Sequence, residues 1–439
     1  MSSAIDPRIE EKPLPPGQNG LPLIGEALQV FGDRNFTIAR HRKYGNVFRT
    51  RIFKTPTVFV RGLEECLFVL RNEGHYFQNS LPENTRKLFG EHSLANSTGT
   101  ALAHRRKILS RSFRPRALDS YRKYIEETAS RYLRLWAERR DIVMYDELSS
   151  FSLDLAWKLF AGIDNASQSE VGKLLKTWFA GLFSFGPIFP GGRAAKAFQA
   201  RQKLFDFIRQ EIDRRRLEDD FGVDILSILI QSRDENGCEL SDRAIVDILL
   251  NILGAGFGTM TSALTSFFLL VGQHSNVEQK LRAEQDELAR AQLPRADTID
   301  RMVYLEATFN EVLRLYPPIA AGFVRVIKEC EIAGYQIPEG WIVIWSIDAT
   351  HLGIENDPNA FQPERFLSSP PTDFIPFGGG MRECLGREYA RLEMRVLCSK
   401  ALAHYEWELP RQDFTMTTLP VPKPKNGLKV RFRQRGEKQ

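Results

Sequence analysis

The hydrophobic and polar positions of this chain change their spacing several times, and the changes predict its elements. A Pro/Gly-rich turn region, KPLPPGQNGLPLIG (Lys12 to Gly25), leads into an amphipathic pattern near Phe31 to Lys43 that predicts the first helix. NVFRTRIFKTPTVFVRG (Asn46 to Gly62) then alternates and is rich in β-branched and aromatic residues, as a hairpin would be. From about Leu102 to Leu402 helical spacing dominates, interrupted by aromatic loops and by the strand-like CEIAGYQIPEGWIVIWS (Cys330 to Ser346). The close, LPVPKPKNGLKVRF (Leu419 to Phe432), predicts a last hairpin turning on Asn426 and Gly427. The expected fold is therefore mainly α with small β-sheets. No repeat or linker-like shift in composition divides the chain, so one large domain is expected over 15–434, behind a flexible 1–14.

One stretch stands apart from this alternation. ILLNILGAGFGTMTSALTSFFLLVG, Ile248 to Gly272, carries no charge over a length that suits a membrane span. Gly254, Gly256, Gly258, Asn251 and the Thr and Ser residues that follow fit better with a helix crossing the interior of a large domain. The start, MSSAIDPRIEEKPL, is charged and shows no apolar core, so the expectation is a soluble, cytoplasmic protein without a transmembrane anchor.

Composition narrows the classes further. At 439 residues with 43% apolar content, the chain is long and apolar enough for a large core. Its net charge of +5, from 60 basic and 55 acidic residues, is too small an excess for a nucleic-acid binder. The five cysteines (66, 238, 330, 384 and 398) are odd in number and form no CxxC pair, which argues against a disulfide scaffold or a structural zinc site.

The densest chemistry lies in PFGGGMRECLG, Pro376 to Gly386. A cysteine binds metal as thiolate, which is favoured by nearby positive charge, backbone N–H donors and a helix N-terminus. REYARLEMRVLCSKAL follows with apolar residues at Tyr389, Leu392, Val396 and Leu397, so Cys384 sits just before a helix start. Gly378, Gly379, Gly380 and Gly386 let backbone approach a flat partner, and Arg382 suits a carboxylate of that partner. A flat, carboxylate-bearing, thiolate-ligated cofactor is haem. The segment resembles the cysteine loop of the cytochrome P-450 haem-thiolate monooxygenases, whose pattern F-x-x-G-x-R-x-C-x-G is matched by Phe377, Gly380, Arg382, Cys384 and Gly386. A buried free cysteine after a glycine turn is the plainer alternative for Cys384; Cys66, Cys238, Cys330 and Cys398 have no such context and are most simply packing residues.

The resemblance implies haem b with Cys384 on its iron, held between a long distal helix and the helix after the cysteine loop. It extends to NEVLRLYPP and FQPERF, where Glu311, Arg314 and Arg365 are implied to form a structural cluster. Read alone, Glu311 and Arg314 are an ordinary i,i+3 pair on a helix that Pro317 and Pro318 end. The uncharged helix resembles the family's distal A-G-x-(acid)-T helix through Ala255, Gly256 and Thr259, but the acidic position holds Gly258. The implied roles are a small-residue bulge that makes room over the iron, a Thr259 hydroxyl where dioxygen is activated, and a proton relay that lacks its acid. The three glycines also fit plain helix packing.

In ALAHRRKILSRSF, Arg106 fits a residue that contacts a haem propionate, Arg105 fits it less well, and the aromatic partner position falls on Leu102, with His104 expected at the surface. Arg105, Lys107, Arg111, Arg114, Arg116, Arg391 and Arg395 suit a basic face for an acidic electron donor such as a ferredoxin or flavodoxin, or a merely solvated surface. Further segments, TSALTSFFLLVGQHS and FGGGMRECLGREYARLEM among them, resemble the cyanobacterial branch that hydroxylates retinoic acid. That likeness implies a large apolar, carboxylate-bearing substrate and a pocket including Arg86, whose alternative is a surface arginine, Phe183, Phe257, Ile319, Phe323 and Thr418. It also implies a mobile lid over Trp178 to Gly192, whose alternative is a core-packed helix end. Thr350 to Phe366 looks shorter than the family's segment. Two other functions stay open: a peroxide-driven peroxygenase or haem-thiolate isomerase, and a non-catalytic haem-based ligand binder.

Overall fold

The computed structural model describes residues 12–32, 36–184, 188–219, 221–291, 301–353, 357–368 and 371–436. Most of the expected flexible start, residues 33–35 of the first predicted helix, Gly186 and Pro187 of the expected lid, and 354–356 of the short segment lie outside them. The chain folds mainly as helices with small sheets and forms two compact units. The first takes Met1–Ser80, Ala320–Asn356 and Thr372–Glu383; the second takes Leu81–Ile319, Asp357–Pro371 and Cys384–Gln439. Each is assembled from three separated stretches, so no shift in composition marks a boundary along the sequence.

The first unit is built on a five-stranded sheet in the order Val47–Ile52, Thr55–Val60, Ile342–Ser346, Ala321–Val326, Phe77–Asn79. Its first two strands are the predicted hairpin, in register from Val47 opposite Val60 to Ile52 opposite Thr55. Alternation sorts their side chains onto two faces. Val47, Val58 and Val60 join Val69 of the helix Leu63–Arg71 on one side, while Phe48 and Phe59 join Phe36 of the helix Phe36–Tyr44 on the other. Phe48 and Phe59 stack with centroids 5.0 Å apart.

The second unit is helical, and its spine is Asp242–Gln273, a helix of 32 residues. Ser241 caps it by accepting a hydrogen bond from the Ala244 N–H at 3.2 Å. The uncharged stretch lies inside this helix, and 78% of its most apolar 18-residue window is buried, so the long apolar run is a core helix of the unit. Hydroxyls within it are matched along the helix itself: Thr261 donates to the Phe257 carbonyl at 2.9 Å and Thr265 to the Thr261 carbonyl at 2.6 Å.

The last predicted hairpin does not form. Lys423–Pro424 pairs with Met416–Thr417, and Lys429–Gln434 pairs with Tyr405–Glu408 and Asp141–Val143. Gly427 does adopt the left-handed backbone of a turn, at φ 80°. However, Pro420, Pro422 and Pro424 remove the donors that the first arm would need for a ladder with the second.

A buried carboxyl gives the second unit a pH-dependent stability. Glu393, on the helix Arg387–His404, is fully buried and accepts a hydrogen bond from the Ser152 hydroxyl at 3.0 Å. Burial pushes its pKa up to about 8, from an ordinary value of 4.5. The folded state thus keeps a proton that the unfolded chain has lost, and stability falls as pH rises from about 4.5 to about 8, then levels off. In denaturant titrations across that range, Glu393→Gln should flatten the slope and gain most at the alkaline end. An unchanged slope would show that another group causes it.

Candidate active site

The helix Arg387–His404 starts three residues past Cys384 with Gly386 as its cap, as the spacing predicts. The Gly386 backbone N–H donates to the Cys384 sulfur, and the positive charge of Arg106 acts on it. The residue is exposed as a whole, yet burial of the sulfur pushes its pKa above the ordinary thiol value, and these two groups pull it back toward thiolate. Phe113 packs below the turn, its ring meeting Phe160 at 6.1 Å and Tyr389 at 6.5 Å between centroids.

In the first unit, Gly378 and Gly380 hold φ of 68° and 61°, a conformation that favours glycine. A Cβ at Gly380 would stand 2.8 Å from the Leu70 carbonyl carbon, whereas one at Gly378 would meet nothing within 4 Å. Gly378 therefore leaves its side of the loop clear for a flat partner, next to the half-buried Phe377. Arg382, read as the partner of a cofactor carboxylate, forks around Glu73 instead. Its Nε lies 2.9 and 2.7 Å from the two carboxylate oxygens, and its Nη2 lies 2.6 Å from one of them. Nothing in the local sequence pointed to Glu73, which pairs across a separation of 309 residues.

In the second unit, the small residues of the long helix divide between two tasks. Ala255 is exposed and Thr259 half-exposed, one turn apart on the same face. The Thr259 hydroxyl donates to the Ala255 carbonyl at 2.6 Å and keeps its oxygen free to accept. The glycines meet aromatic rings: a Cβ at Gly254 would lie 2.6 Å from Trp178 Cζ3, and one at Gly256 would lie 2.7 Å from Phe160 Cε2. At Gly258 it would overlap Cζ of Phe179. The helix is continuous from 242 to 273, so the glycines provide packing sockets and the expected bulge is not present.

Arg106 acts on Cys384, and its neighbour Arg105 turns inward, pairing with the Ser97 hydroxyl and lying 3.5 Å from His92 Nδ1. Arg105 Nε is buried without a hydrogen-bond partner among the described residues, a donor suited to an anionic group. Leu102 is buried at 1% exposure and packs as a core residue. His104 is half-buried and lies 2.8 Å from the Arg233 carbonyl, so it is tied down and not freely solvated. The expected basic face is partly neutralised. Glu306 pairs with Arg391 at 3.2 Å and Arg395 at 2.9 Å, which leaves Lys107, Arg111, Arg114 and Arg116 as its exposed part.

Glu311, Arg314 and Arg365 come together in the second unit. Arg314 donates to both oxygens of Glu311, at 2.6 and 2.8 Å, and Arg365 lies 3.5 Å from one of them. The remaining guanidinium donors of Arg314 reach the carbonyls of Pro358 at 2.7 Å and Ala360 at 3.0 Å.

Phe257 is buried against Phe179, with ring centroids 5.4 Å apart, and Phe183 is half-buried. Arg86, Ile319 and Thr418 are exposed, and Phe323 packs against the aromatic face of the sheet in the first unit. The expected lid is core-packed at its start. Trp178 is fully buried and donates to the Leu88 carbonyl at 3.0 Å, Phe179 and Leu182 are buried, and Ile188, Phe189, Pro190 and Gly191 beyond them are exposed.

A thiol under a backbone N–H and an arginine, at the head of a helix, has the donor chemistry of a haem-thiolate protein; the buried Arg105 Nε, without a hydrogen-bond partner among the described residues, suits an acidic edge of such a cofactor. The model of the family "Cytochrome P450" matches residues 15–432. The chain belongs to the cytochrome P450 family, and it is a monooxygenase, an oxidoreductase working with haem, a small-molecule substrate and a redox partner. It is 37% identical over 433 residues to cytochrome P450 120 of Synechocystis sp., covering 97% of this chain and 98% of that one. It is 33% identical over 448 residues to cytochrome P450 26B1 of Homo sapiens, covering 96% of this chain and 86% of that one. Among solved structures it is similar to retinoic acid-bound cyanobacterial CYP120A1, with TM-score 0.90 and 36% identity, covering 97% of this chain and 100% of that one.

Proposed function

We propose that this chain hydroxylates a large apolar substrate bearing a carboxylate, of the retinoic acid type, in the cytoplasm and with electrons from a ferredoxin- or flavodoxin-type donor. The substrate class is supported by the full-length similarity to a structure that binds retinoic acid. The observation that carries the chemistry is the Cys384 sulfur under the Gly386 N–H and the Arg106 charge. Bound haem, with Cys384 on its iron, supplies the activation of dioxygen for insertion into a C–H bond. Arg106 and Arg105 would hold its acidic edge. Ala255 would keep the helix face low, and the Thr259 hydroxyl, bonded to the Ala255 carbonyl, would hold or pass on a proton at Oγ1. Exposed Lys107, Arg111, Arg114 and Arg116 suit docking of an acidic donor.

A second reading is kept by Gly258, because a site without a carboxyl there gains from an oxidant that brings its own protons. The test is product formed per NADPH consumed with retinoic acid and a ferredoxin system, beside a hydrogen peroxide-driven reaction. Coupled product supports the monooxygenase reading, and product with peroxide alone overturns it in favour of the second. Within the first reading, Thr259→Ala should lower product per electron by roughly 10²-fold, with Thr259→Ser restoring most of it. Full coupling in Thr259→Ala would remove the hydroxyl from the mechanism.

A further inference from the structure

Three glycines in one helix each receive an aromatic ring, and they are not equivalent. At Gly254 and Gly256 an added Cβ would crowd the edge of Trp178 or Phe160, at 2.6 and 2.7 Å. At Gly258 it would fall on Cζ of Phe179, with Cε1 at 2.5 Å, so the space of any side chain at this position is already occupied. The end of the ring is the part that a rotation could withdraw. That rotation is opposed by two things: Phe179 is only 8% exposed and meets Phe257 edge to face, and its neighbour Trp178 is anchored to the Leu88 carbonyl. The flank of the helix next to Thr259 is therefore lined by aromatic groups and carries no titratable group on Phe179, Phe257 or Trp178.

We propose that Phe179 is a positioning residue for oxygen activation: its ring takes the volume of a side chain at position 258, keeps water from that flank of the helix, and leaves proton delivery to the Thr259 hydroxyl. The proposal rests on the monooxygenase reading for its consequence but not for its packing. Phe179 and Gly258 are then a matched pair, and neither tolerates change alone. A glycine in a helix is ordinarily improved by alanine, which has the higher helix propensity. Here the sign should invert.

The packing test is a double-variant cycle on the haem-loaded full chain, read as thermal midpoint. Gly258→Ala should lower the midpoint in the wild-type background and raise it in Phe179→Ala, where the ring is gone. If Phe179→Ala does not fold, Phe179→Leu serves, since it withdraws the ring and keeps most of the apolar volume. A rise in both backgrounds overturns the proposal whether or not the protein turns over substrate. The second readout is the pH profile of product per electron. Phe179→Ala/Gly258→Glu should acquire a limb in the carboxyl range that Phe179→Ala lacks, because an acid then reaches a flank now open to water. Identical profiles overturn the positioning role. An inverted midpoint without NADPH-coupled product in the wild type would instead count against the monooxygenase reading and leave the packing intact.

Discussion

Cys384→Ser is expected to keep the helical fold and lose product formation to the level of the haem-free blank. Cys384 is exposed as a residue although its sulfur is buried, and the helix behind it is held by buried Tyr389, Leu392, Val396 and Leu397, so that helix does not depend on the sulfur. Its surroundings matter for another reason. The Gly386 N–H and Arg106 favour a negative charge on this atom, and an alcohol, whose proton is far harder to remove than a thiol's, cannot use them in the same way. Circular dichroism of the wild type and variant should superimpose, while the absorbance signature of thiolate-ligated haem disappears. Residual product near the wild-type rate, or retention of that signature, would mean that Cys384 is not the ligand. Cys66, Cys330 and Cys398 would then have to be considered, although burial pushes the first two up to about 12 and about 11 and the third well above the thiol range.

What the sequence revealed and what it hid separate along the distance between partners. The hairpin from Asn46 to Gly62 was legible because its alternation and its turn are local, and so was the helix that begins after Gly386. Glu311 and Arg314 were legible as a pair because they are three apart on a helix that Pro317 ends. The final hairpin was misread because Asn426 and Gly427 give a strong local signal, while the strands at 405–408 and 141–143 that claim Lys429–Gln434 lie outside the window. The same limit applies to the glycines. Whether G-x-G-x-G opens a helix or packs it depends on Phe160 and Phe179, far upstream of Gly256 and Gly258, and only the fold brings those rings to their sockets. Glu73 is the extreme case, since it takes the guanidinium of Arg382 from the other end of the chain. Spacing alone favours Arg106 over Arg105, and the buried Nε of Arg105, without a partner among the described residues, is visible only in three dimensions.

Glu311→Ala is expected to be the most destabilising single change in the second unit, by about 3–5 kcal/mol, because it leaves a buried guanidinium without its counter-charge. Both side chains of the Glu311–Arg314 pair are at 0% exposure, so water cannot replace the lost carboxylate. The loss is larger than one ion pair, since Glu311 also accepts the Gln362 backbone N–H at 2.9 Å and lies against Arg365. Without it, the segment carrying Pro358 and Ala360 keeps only carbonyl contacts to an uncompensated cation. The nearby pair of Lys280 and Glu364 provides the control. It spans 2.6 Å, but its side chains are 53% and 45% exposed, and breaking it should cost no more than about 1 kcal/mol. Denaturant midpoints for Glu311→Ala, Glu364→Ala and the wild type decide the matter. Equal shifts for the two variants would mean that water reaches the cluster and that its burial, not merely its strength, is wrong. A large shift for Glu311→Ala alone would show that Glu311 and Arg314 depend on each other to stay charged where no solvent reaches them.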